Sequence, residues 1–219
     1  MDTINIGNQT WATANLSTTN FQNGDEIPIV DNFDDWANYS SKCLPCCAYL
    51  DNKKSMVKYG LFYNGFCVTD SRNICPDGFR VPKIEDIILL TDNLGFKNTL
   101  EGDIYYNPDV ALGLKGSKTW KKSFLGEPGD NSTGMNFLAG GNLTSRDGMF
   151  LFDDKGFTSN HWLLDEHIPD SETKFFPAPP EDWPVSRMHK FCIGTGGDHS
   201  MKIGTEFLIK GLFLRLIHV

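Results

Sequence analysis

The hydrophobic and polar positions of this chain predict short strands near both ends and one amphipathic helix between them. Ile4 and Ile6 alternate with polar neighbours, as in a half-buried strand. Residues 59–68 are rich in aromatic and apolar side chains, which predicts a strand that crosses the core. Residues 207–219 are apolar on both faces, as expected of a central strand. Further strands are predicted at residues 149–152 and 161–164.

The segment at residues 75–82 reads Cys-Pro-Asp-Gly-Phe-Arg-Val-Pro and predicts a turn followed by the start of a helix. Pro76 and Gly78 supply turn geometry. Residues 83–94 then place apolar side chains on one helical face, and Gly95 is suited to end the helix. These apolar side chains are Ile84, Ile87, Ile88 and Leu94.

From about residue 100 to residue 205 the chain is punctuated by Gly, Pro, Asn and Asp, which predicts a long irregular region. Within it, residues 175–184 read Phe-Phe-Pro-Ala-Pro-Pro-Glu-Asp-Trp-Pro, and this proline content excludes a helix or a central strand. A stiff loop that carries aromatic rings can stack on sugars at low entropic cost. The same rings could instead pin the loop to the core or form a subunit interface. The candidate ligand-binding residues are Phe175, Phe176, Trp183 and Trp162.

The charge balance is acidic, with 28 acidic and 20 basic residues and a net charge of −8. This argues against nucleic-acid partners, because non-specific binding to nucleic acid needs a basic face. No run of 18 apolar residues is present, so neither a membrane span nor a membrane partner is expected. The first residues lack a basic start and an apolar stretch, so no secretory leader is expected either.

Free thiols are favoured over disulfides for the six cysteines, because a chain without a leader folds in a reducing compartment, although the sequence leaves the redox state of Cys43, Cys46 and Cys47 open. The sequence Cys-Leu-Pro-Cys-Cys at residues 43–47 invites a zinc interpretation. A structural zinc site needs a second paired ligand set, and Cys67, Cys75 or His189 with Cys192 does not repeat the spacing. Buried or reduced thiols are therefore favoured over a metal site.

An ordered series of short motifs resembles one known family. The motifs are Ile-Gly-Asn-Gln-Thr-Trp at residues 6–11, Tyr-Gly-Leu-Phe-Tyr-Asn at 59–64, the Cys-Pro motif at 75–82, Thr-Gly-Met-Asn-Phe at 133–137 and Gly-Leu-Phe-Leu-Arg at 211–215. In this order they resemble the Fibrobacter succinogenes major paralogous domain, a family of the C-type lectin-like superfold. The resemblance spans the chain from about Ile4 to Val219.

The resemblance implies an α+β, C-type lectin-like fold with small antiparallel sheets, two helices and a long irregular loop region. One domain is expected over residues 1–219. Its sheet-and-helix core would occupy residues 1–115, its loop region 116–205 and its closing strand 206–219. The resemblance also implies that the two ends pair in one sheet, with Ile4 and Ile6 next to the closing strand. The expected neighbours in that strand are Leu212, Leu214 and Leu216.

The chain departs from the family pattern near its end. The family has an Arg-Cys-Val segment whose cysteine would pair with the one in the Cys-Pro motif, whereas residues 215–217 here read Arg-Leu-Ile. Cys75 therefore lacks the implied partner and is predicted to be a free thiol. Apolar packing of Leu216 is expected to replace the disulfide.

Two further chemistries are weaker possibilities. Lectins of this superfold bind sugar through calcium with a Glu-Pro-Asn type of triplet, which Glu127, Asp130 and Asn131 match only in part. A solvated acidic turn is favoured there, so no cofactor is expected; Asp153-Asp154 is another oxygen cluster. Cys192 near His189 could resemble a thiol with a base, but a buried structural pair is the favoured interpretation.

The resemblance and the expected lack of a leader together favour a recognition protein that is not an enzyme. A virion protein needs no export signal, so the expected function is a phage head fibre, capsid decoration or tail adhesin that binds a bacterial surface glycan or protein. Residues 117–204 would carry the recognition surface, anchored by Phe176 and Trp183. Expected partners also include other virion proteins and copies of this chain. The alternatives are a purely structural virion module without a host ligand and a lectin-like protein on the bacterial surface.

Overall fold

The computed structural model describes residues 1–96, 99–101, 104–107, 110–122, 129–146, 149–167, 186–194 and 201–219. In these ranges the chain has few helices and several small antiparallel sheets, so the fold is α+β and mostly β. This confirms the α+β class with small antiparallel sheets, whereas the described residues hold four α-helices and not the expected two. No helix in these ranges is long and apolar enough to cross a membrane.

The secondary structure consists of short elements. The helices are α1 (Phe33–Ser41), α2 (Gly65–Thr69), α3 (Ile84–Asn93) and α4 (Ala111–Leu114), with 3-10 helices η1 (Leu50–Asn52) and η2 (Lys54–Tyr59). The strands are β1 (Thr3–Ile6), β2 (Gln9–Ala12), β3 (Cys47–Tyr49), β4 (Leu61–Asn64), β5 (Phe79–Arg80), β6 (Thr99–Glu101), β7 (Ile104–Asn107), β8 (Asn142–Arg146), β9 (Met149–Asp153), β10 (Ser159–His167), β11 (Arg187–Ile193), β12 (Met201–Phe207), β13 (Gly211–Leu212) and β14 (Ile217–His218).

The described strands form three sheets, each named here by a number. Sheet 1 has the order β1-β2-β14-β5, sheet 2 the order β3-β4-β13-β8-β9, and sheet 3 the order β10-β11-β12-β7-β6. The strands predicted at residues 149–152 and 161–164 are β9 and part of β10.

The two ends of the chain meet in sheet 1, but not as direct neighbours. Ile4 pairs with Trp11 of β2, and Ile217 of β14 pairs with the other side of Trp11. The predicted contact between β1 and the closing strand was therefore wrong, because the tight turn at Gly7 folds β2 into the space between them. Leu212 was also misplaced, since it lies in sheet 2.

Residues 207–219 hold the last residue of β12 and the two short strands β13 and β14, which corrects the prediction of one continuous strand. β12 belongs to sheet 3, β13 to sheet 2 and β14 to sheet 1. A turn in which Lys210 donates to the carbonyl of Phe207 makes the first break. The side chains from residue 208 to 217 are nearly all buried, so the apolar character was correct although the continuity was not.

The prediction of a strand over residues 59–68 holds only for β4. The second half of that segment is the buried helix α2, which begins where the N–H of Gly65 donates to the carbonyl of Leu208. A short run that is apolar on all sides does not distinguish a buried strand from a buried helix by its periodicity.

Helix α3 is confirmed, and the Cys-Pro motif explains its start. The guanidinium of Arg80 donates two hydrogen bonds to the carboxylate of Asp86, from Nη1 to Oδ2 at 2.6 Å and from Nη2 to Oδ1 at 2.7 Å. Asp86 also accepts from the N–H of Lys83 at 2.7 Å, which caps the first turn. Gly95 has φ +83°, the left-handed conformation that ends a helix.

The core lies between the helices and the sheets. Ile87 and Leu90 of α3 pack with Trp11 of sheet 1 and Phe191 of sheet 3 in one buried cluster. The opposite face of sheet 3 is apolar only at one end, where Trp162 joins a second cluster. Further along that face the described residues include Asn160, Lys190 and Lys202.

Arg215 is fully buried and joins three parts of the chain. Its Nε donates to Oδ1 of Asn15 at 3.0 Å, and Nη1 donates to the carbonyls of Ala12 and Met135 at 3.1 and 2.8 Å. Nη2 donates to the carbonyl of Asn136 at 3.4 Å. Burial lowers the pKa of Arg215 to about 9, so the guanidinium remains charged at neutral pH. None of its four acceptors carries a charge.

His161 is a buried neutral imidazole within an aromatic cluster. Its ring stacks on Phe191 with centroids 4.7 Å apart, and its Nε2 lies 2.8 Å from Oγ of Ser159. Its Nδ1 has no hydrogen-bond partner in the described structure. Burial, with a smaller effect from the Arg215 charge, lowers the pKa of His161 well below its usual value of 6.5.

All six cysteines are free thiols in this structure, and Cys43 alone of them is exposed. Cys75 packs in the same cluster as Leu216, as expected from the missing family cysteine. Burial raises the pKa of Cys75 to about 11.

We expect Arg215→Met to lower the free energy of unfolding by about 3–5 kcal/mol, because it leaves buried carbonyls without donors. Arg215→Lys keeps the charge but not the planar fork, so its stability should fall between those of the wild type and Arg215→Met. Urea unfolding measures both variants. A loss below about 1 kcal/mol for Arg215→Met would show that the hydrogen bonds of Arg215 contribute little to the stability of the fold.

The low pKa of His161 predicts that acid destabilises the fold. The unfolded chain takes up a proton near pH 6.5 while the folded chain does not, so this stability is present above pH 6.5 and lost as pH falls below it. The loss is up to about 1.4 kcal/mol per pH unit. We expect His161→Phe to show a correspondingly flatter stability profile between pH 6.5 and 4.5. Equal slopes for the two proteins would contradict the assignment.

Thiol labelling tests the cysteine assignment. In native buffer without reductant, a thiol reagent should label one cysteine rapidly, and Cys43→Ser should remove that fast phase, because the other thiols are buried and protonated. In denaturant all six should react. Detection of a disulfide at Cys75 by mass spectrometry would contradict the assignment of free thiols.

Candidate ligand-binding site

The structure removes one residue from the predicted ligand-binding set. Trp162 has 0% of its surface exposed, and its Nε1 donates to the carbonyl of Tyr63 at 2.8 Å, so it is a core residue that no ligand can stack on. Phe175, Phe176 and Trp183 lie outside the described residues.

The weak calcium candidates are engaged in a turn. Oδ1 of Asp130 accepts from the N–H of Ser132 at 2.9 Å, and this hydrogen bond lowers the pKa of Asp130. Oδ1 of Asn131 accepts from the N–H of Asn136 at 2.7 Å. Glu127 lies outside the described residues. In the described ranges no three His, Cys, Asp or Glu residues group as metal ligands would.

Cys192 and His189 do not form a thiol–base pair. They are three residues apart in β11, and side chains at odd separation point to opposite faces of a strand. Nδ1 of His189 lies 3.2 Å from the carbonyl oxygen of Asp165. Burial raises the pKa of Cys192 to about 11, so its thiol is protonated at neutral pH. The buried structural role is thus the one that the geometry supports.

Cys192 instead lies in the floor of a cavity of about 260 Å³ on sheet 3, and most of the residues that line this cavity are of polar type. We call it the sheet-3 pocket. Its lining residues are Asn142, Asp154, Thr158, Asn160, Lys190, Cys192, Lys202, Ile203 and Gly204. Three neighbouring strands form this floor. Asn160 of β10 pairs with Cys192 of β11, which pairs in turn with Lys202 of β12.

The wall of the sheet-3 pocket is the turn that follows β9. Asp154 adopts φ +58°, and its carbonyl accepts from the N–H groups of Phe157 and Thr158. A Cβ at Gly141 would lie 1.9 Å from the carbonyl oxygen of Asp153, so only glycine allows this close approach of turn and strand. The side chain of Lys155 pairs with Asp51, which fixes the outer end of the turn.

A hydrogen-bonded network orders the floor. Nδ2 of Asn160 donates to Oγ1 of Thr158 at 2.9 Å, and Oδ1 of Asn160 lies 3.4 Å from Nζ of Lys190. Lys190 also pairs with Glu206 at 3.0 Å. Asn160 is 2% exposed, so its side chain positions the others rather than meeting a ligand directly.

The groups that remain accessible include both donors and acceptors. Asp154 is exposed and offers carboxylate oxygens, whereas Asn142 and Lys202 are half-buried at the rim. A Cβ built at Gly204 meets no described atom within 4 Å, so the pocket is open above this residue. Such a site suits a small polar group whose hydroxyls both donate and accept hydrogen bonds.

The signal for this pocket was present in the sequence. Residues 187–193 and 201–207 alternate, with Phe191 and Ile203 facing the core while Lys190, Lys202 and Gly204 share the other face. We predicted an irregular region there because the flanking segments are rich in glycine and proline. The period-two pattern predicts a strand with one polar face.

Comparison with known proteins places the chain in one family. The model of the Fibrobacter succinogenes major domain matches residues 4–190, well over half of the chain. No curated protein and no solved structure gave a significant match. The matched range holds the Cys-Pro motif, helix α3, the turn after β9 and all of β10. The chain therefore belongs to the Fibrobacter succinogenes major domain family.

Proposed function

We propose that this protein is a non-enzymatic recognition module with a C-type lectin-like fold, and that it binds a hydroxyl-rich group of a bacterial surface glycan. The observation that carries the proposal is the sheet-3 pocket, a concave site lined by several hydrogen-bonding side chains, with open space above Gly204. Its volume of about 260 Å³ suits one sugar unit rather than a larger drug-sized ligand.

The chemistry of the pocket favours a neutral, hydroxylated ligand. Asp154 accepts hydrogen bonds, Lys202 donates them, and Asn142 can do both. Lys190 is paired with Glu206, so its charge is largely compensated within the site. A sugar hydroxyl is a donor and an acceptor at once, which matches this mixture better than a purely anionic or apolar group does.

The described residues also support binding rather than catalysis. The thiol in the floor is held protonated by burial. The one close serine–histidine pair among them, Ser159 with His161, has both side chains 0% exposed and is closed to a substrate. An activated nucleophile must instead lie within reach of both a base and the substrate.

The arrangement of the chain ends and of two helices supports the proposed fold. Both chain ends lie in sheet 1, and helices α1 and α3 pack against the sheets, as the family resemblance implies for a C-type lectin-like domain. Where the protein acts, on a virion or on a cell surface, remains a prediction. We place it on a phage virion, as a head fibre, capsid decoration or tail adhesin, with the bacterial cell surface as the alternative. A structural virion module without a ligand is the competing function.

We expect Gly204→Val to abolish glycan binding without loss of stability. The valine side chain would project into open space and fill the pocket, while a β-branched residue favours a strand more than glycine does. The free energy of unfolding should stay unchanged or rise by up to about 1 kcal/mol. An array of bacterial surface polysaccharides, followed by titration of any glycan bound by the wild type, measures the binding.

Thr205→Val is the matched control, because it adds a valine to the same strand on the opposite face. It should bind like the wild type. If Gly204→Val folds and binds a glycan as tightly as the wild type, the pocket is not the site. If the wild type binds no glycan on the array, the structural alternative is favoured.

A further inference from the structure

A second cavity, of about 290 Å³, lies between η2 and the segment after α4. We call it the basic pocket. Its lining residues are Lys58, Ser117, Lys118, Thr119, Asn136 and Leu138. It shares no lining residue with the sheet-3 pocket, and the hydroxyl-binding proposal does not use it.

The lining of the basic pocket is positively charged in a protein of net charge −8. It contributes two ammonium groups, Lys58 and Lys118, and none of its six lining residues is acidic. Ser117 and Thr119 add hydroxyl donors. Oγ1 of Thr119 accepts from the N–H of Ala139 at 2.9 Å, which leaves its own proton for another acceptor.

A third cation lies directly behind the wall. Arg215 donates to the carbonyl of the lining residue Asn136 and to that of its neighbour Met135. Arg215 is 0% exposed and its acceptors are neutral, so its charge is screened less than that of a surface arginine. The buried guanidinium therefore adds to the positive potential of the pocket.

The wall is also rigid. Asn136 adopts φ +52°, held by the hydrogen bond from its N–H to Asn131. A Cβ at Gly116 would lie 2.4 Å from Oδ1 of Asn136, so the two segments touch closely. The N–H of Gly116 donates to the carbonyl of Phe137 at 2.8 Å. A site that is ordered before binding loses less entropy when it takes a ligand.

We propose that the basic pocket binds the phosphate group of a phosphate ester. Lysine ammonium groups bind phosphate as point charges. A phosphate monoester carries a charge of about −1.5 to −2 at neutral pH, more than the single charge of a carboxylate, so two lysines with a third cation behind them favour the phosphate. Serine and threonine hydroxyls add neutral donors. The cavity is larger than the phosphate alone requires, which leaves space for the esterified group.

Calorimetric titration of the whole chain tests this inference with glycerol 3-phosphate, inorganic phosphate and acetate at matched ionic strength. Glycerol 3-phosphate should bind most tightly and acetate should show no saturable binding. Lys58→Gln and Lys118→Gln should each weaken glycerol 3-phosphate binding by about tenfold, the effect of losing one charged hydrogen bond.

Lys54→Gln is the matched control, because it removes the same charge from η2 at a position outside the lining. It should leave the affinity unchanged. Equal weakening by all three variants would show a general charge effect and overturn the site. Acetate binding as tight as phosphate binding would overturn the phosphate assignment. If inorganic phosphate bound as tightly as glycerol 3-phosphate, the inference that the ligand is a phosphate ester would be wrong. These outcomes do not depend on whether the sheet-3 pocket binds glycans.

Discussion

The buried guanidinium of Arg215 is the constraint on which the closure of this fold depends. A charged group without exposure must satisfy its donors within the protein. Here the acceptors are the carbonyl of Ala12 at the end of β2, two carbonyls in the segment before β8, and the side chain of Asn15 in the loop after β2. Those segments are about 80 and 200 residues away along the chain. One side chain thus joins the directly paired strands β2 and β14 of sheet 1 to the segment that precedes β8 of sheet 2.

The sequence predicted well those elements whose signals are local. Helix α3 begins with a capped turn and ends at Gly95, and each of these features lies within a few residues of the helix. Residues 207–219 show the limit. Their apolar pattern correctly indicated burial on all sides, yet the chain enters three sheets in succession. Which sheet takes each strand is decided by partners far away in sequence, such as Asn64 for Gly211 and Trp11 for Ile217.

The candidate site was harder to predict than the fold, for a physical reason. Residues 175–184 were predicted to bind a ligand because aromatic rings and prolines are conspicuous in a sequence. The sheet-3 pocket is instead formed by ordinary residues that become a site only through register. Asn160, Cys192 and Lys202 are neighbours because β10, β11 and β12 pair in one particular alignment. A slip of one residue would turn the polar face into the core.

The fold and the basic pocket are connected through one residue. Arg215 closes the chain and also holds the carbonyl of Asn136, which lines that pocket. A buried cation with only neutral acceptors is costly, and an anion bound in the adjoining pocket would offset part of that cost. A ligand phosphate and the closing of the fold would then stabilise each other, because a ligand that binds only the folded state raises its stability. If the basic pocket binds a phosphate ester as proposed, binding at Lys58 and Lys118 and folding around Arg215 would therefore be coupled.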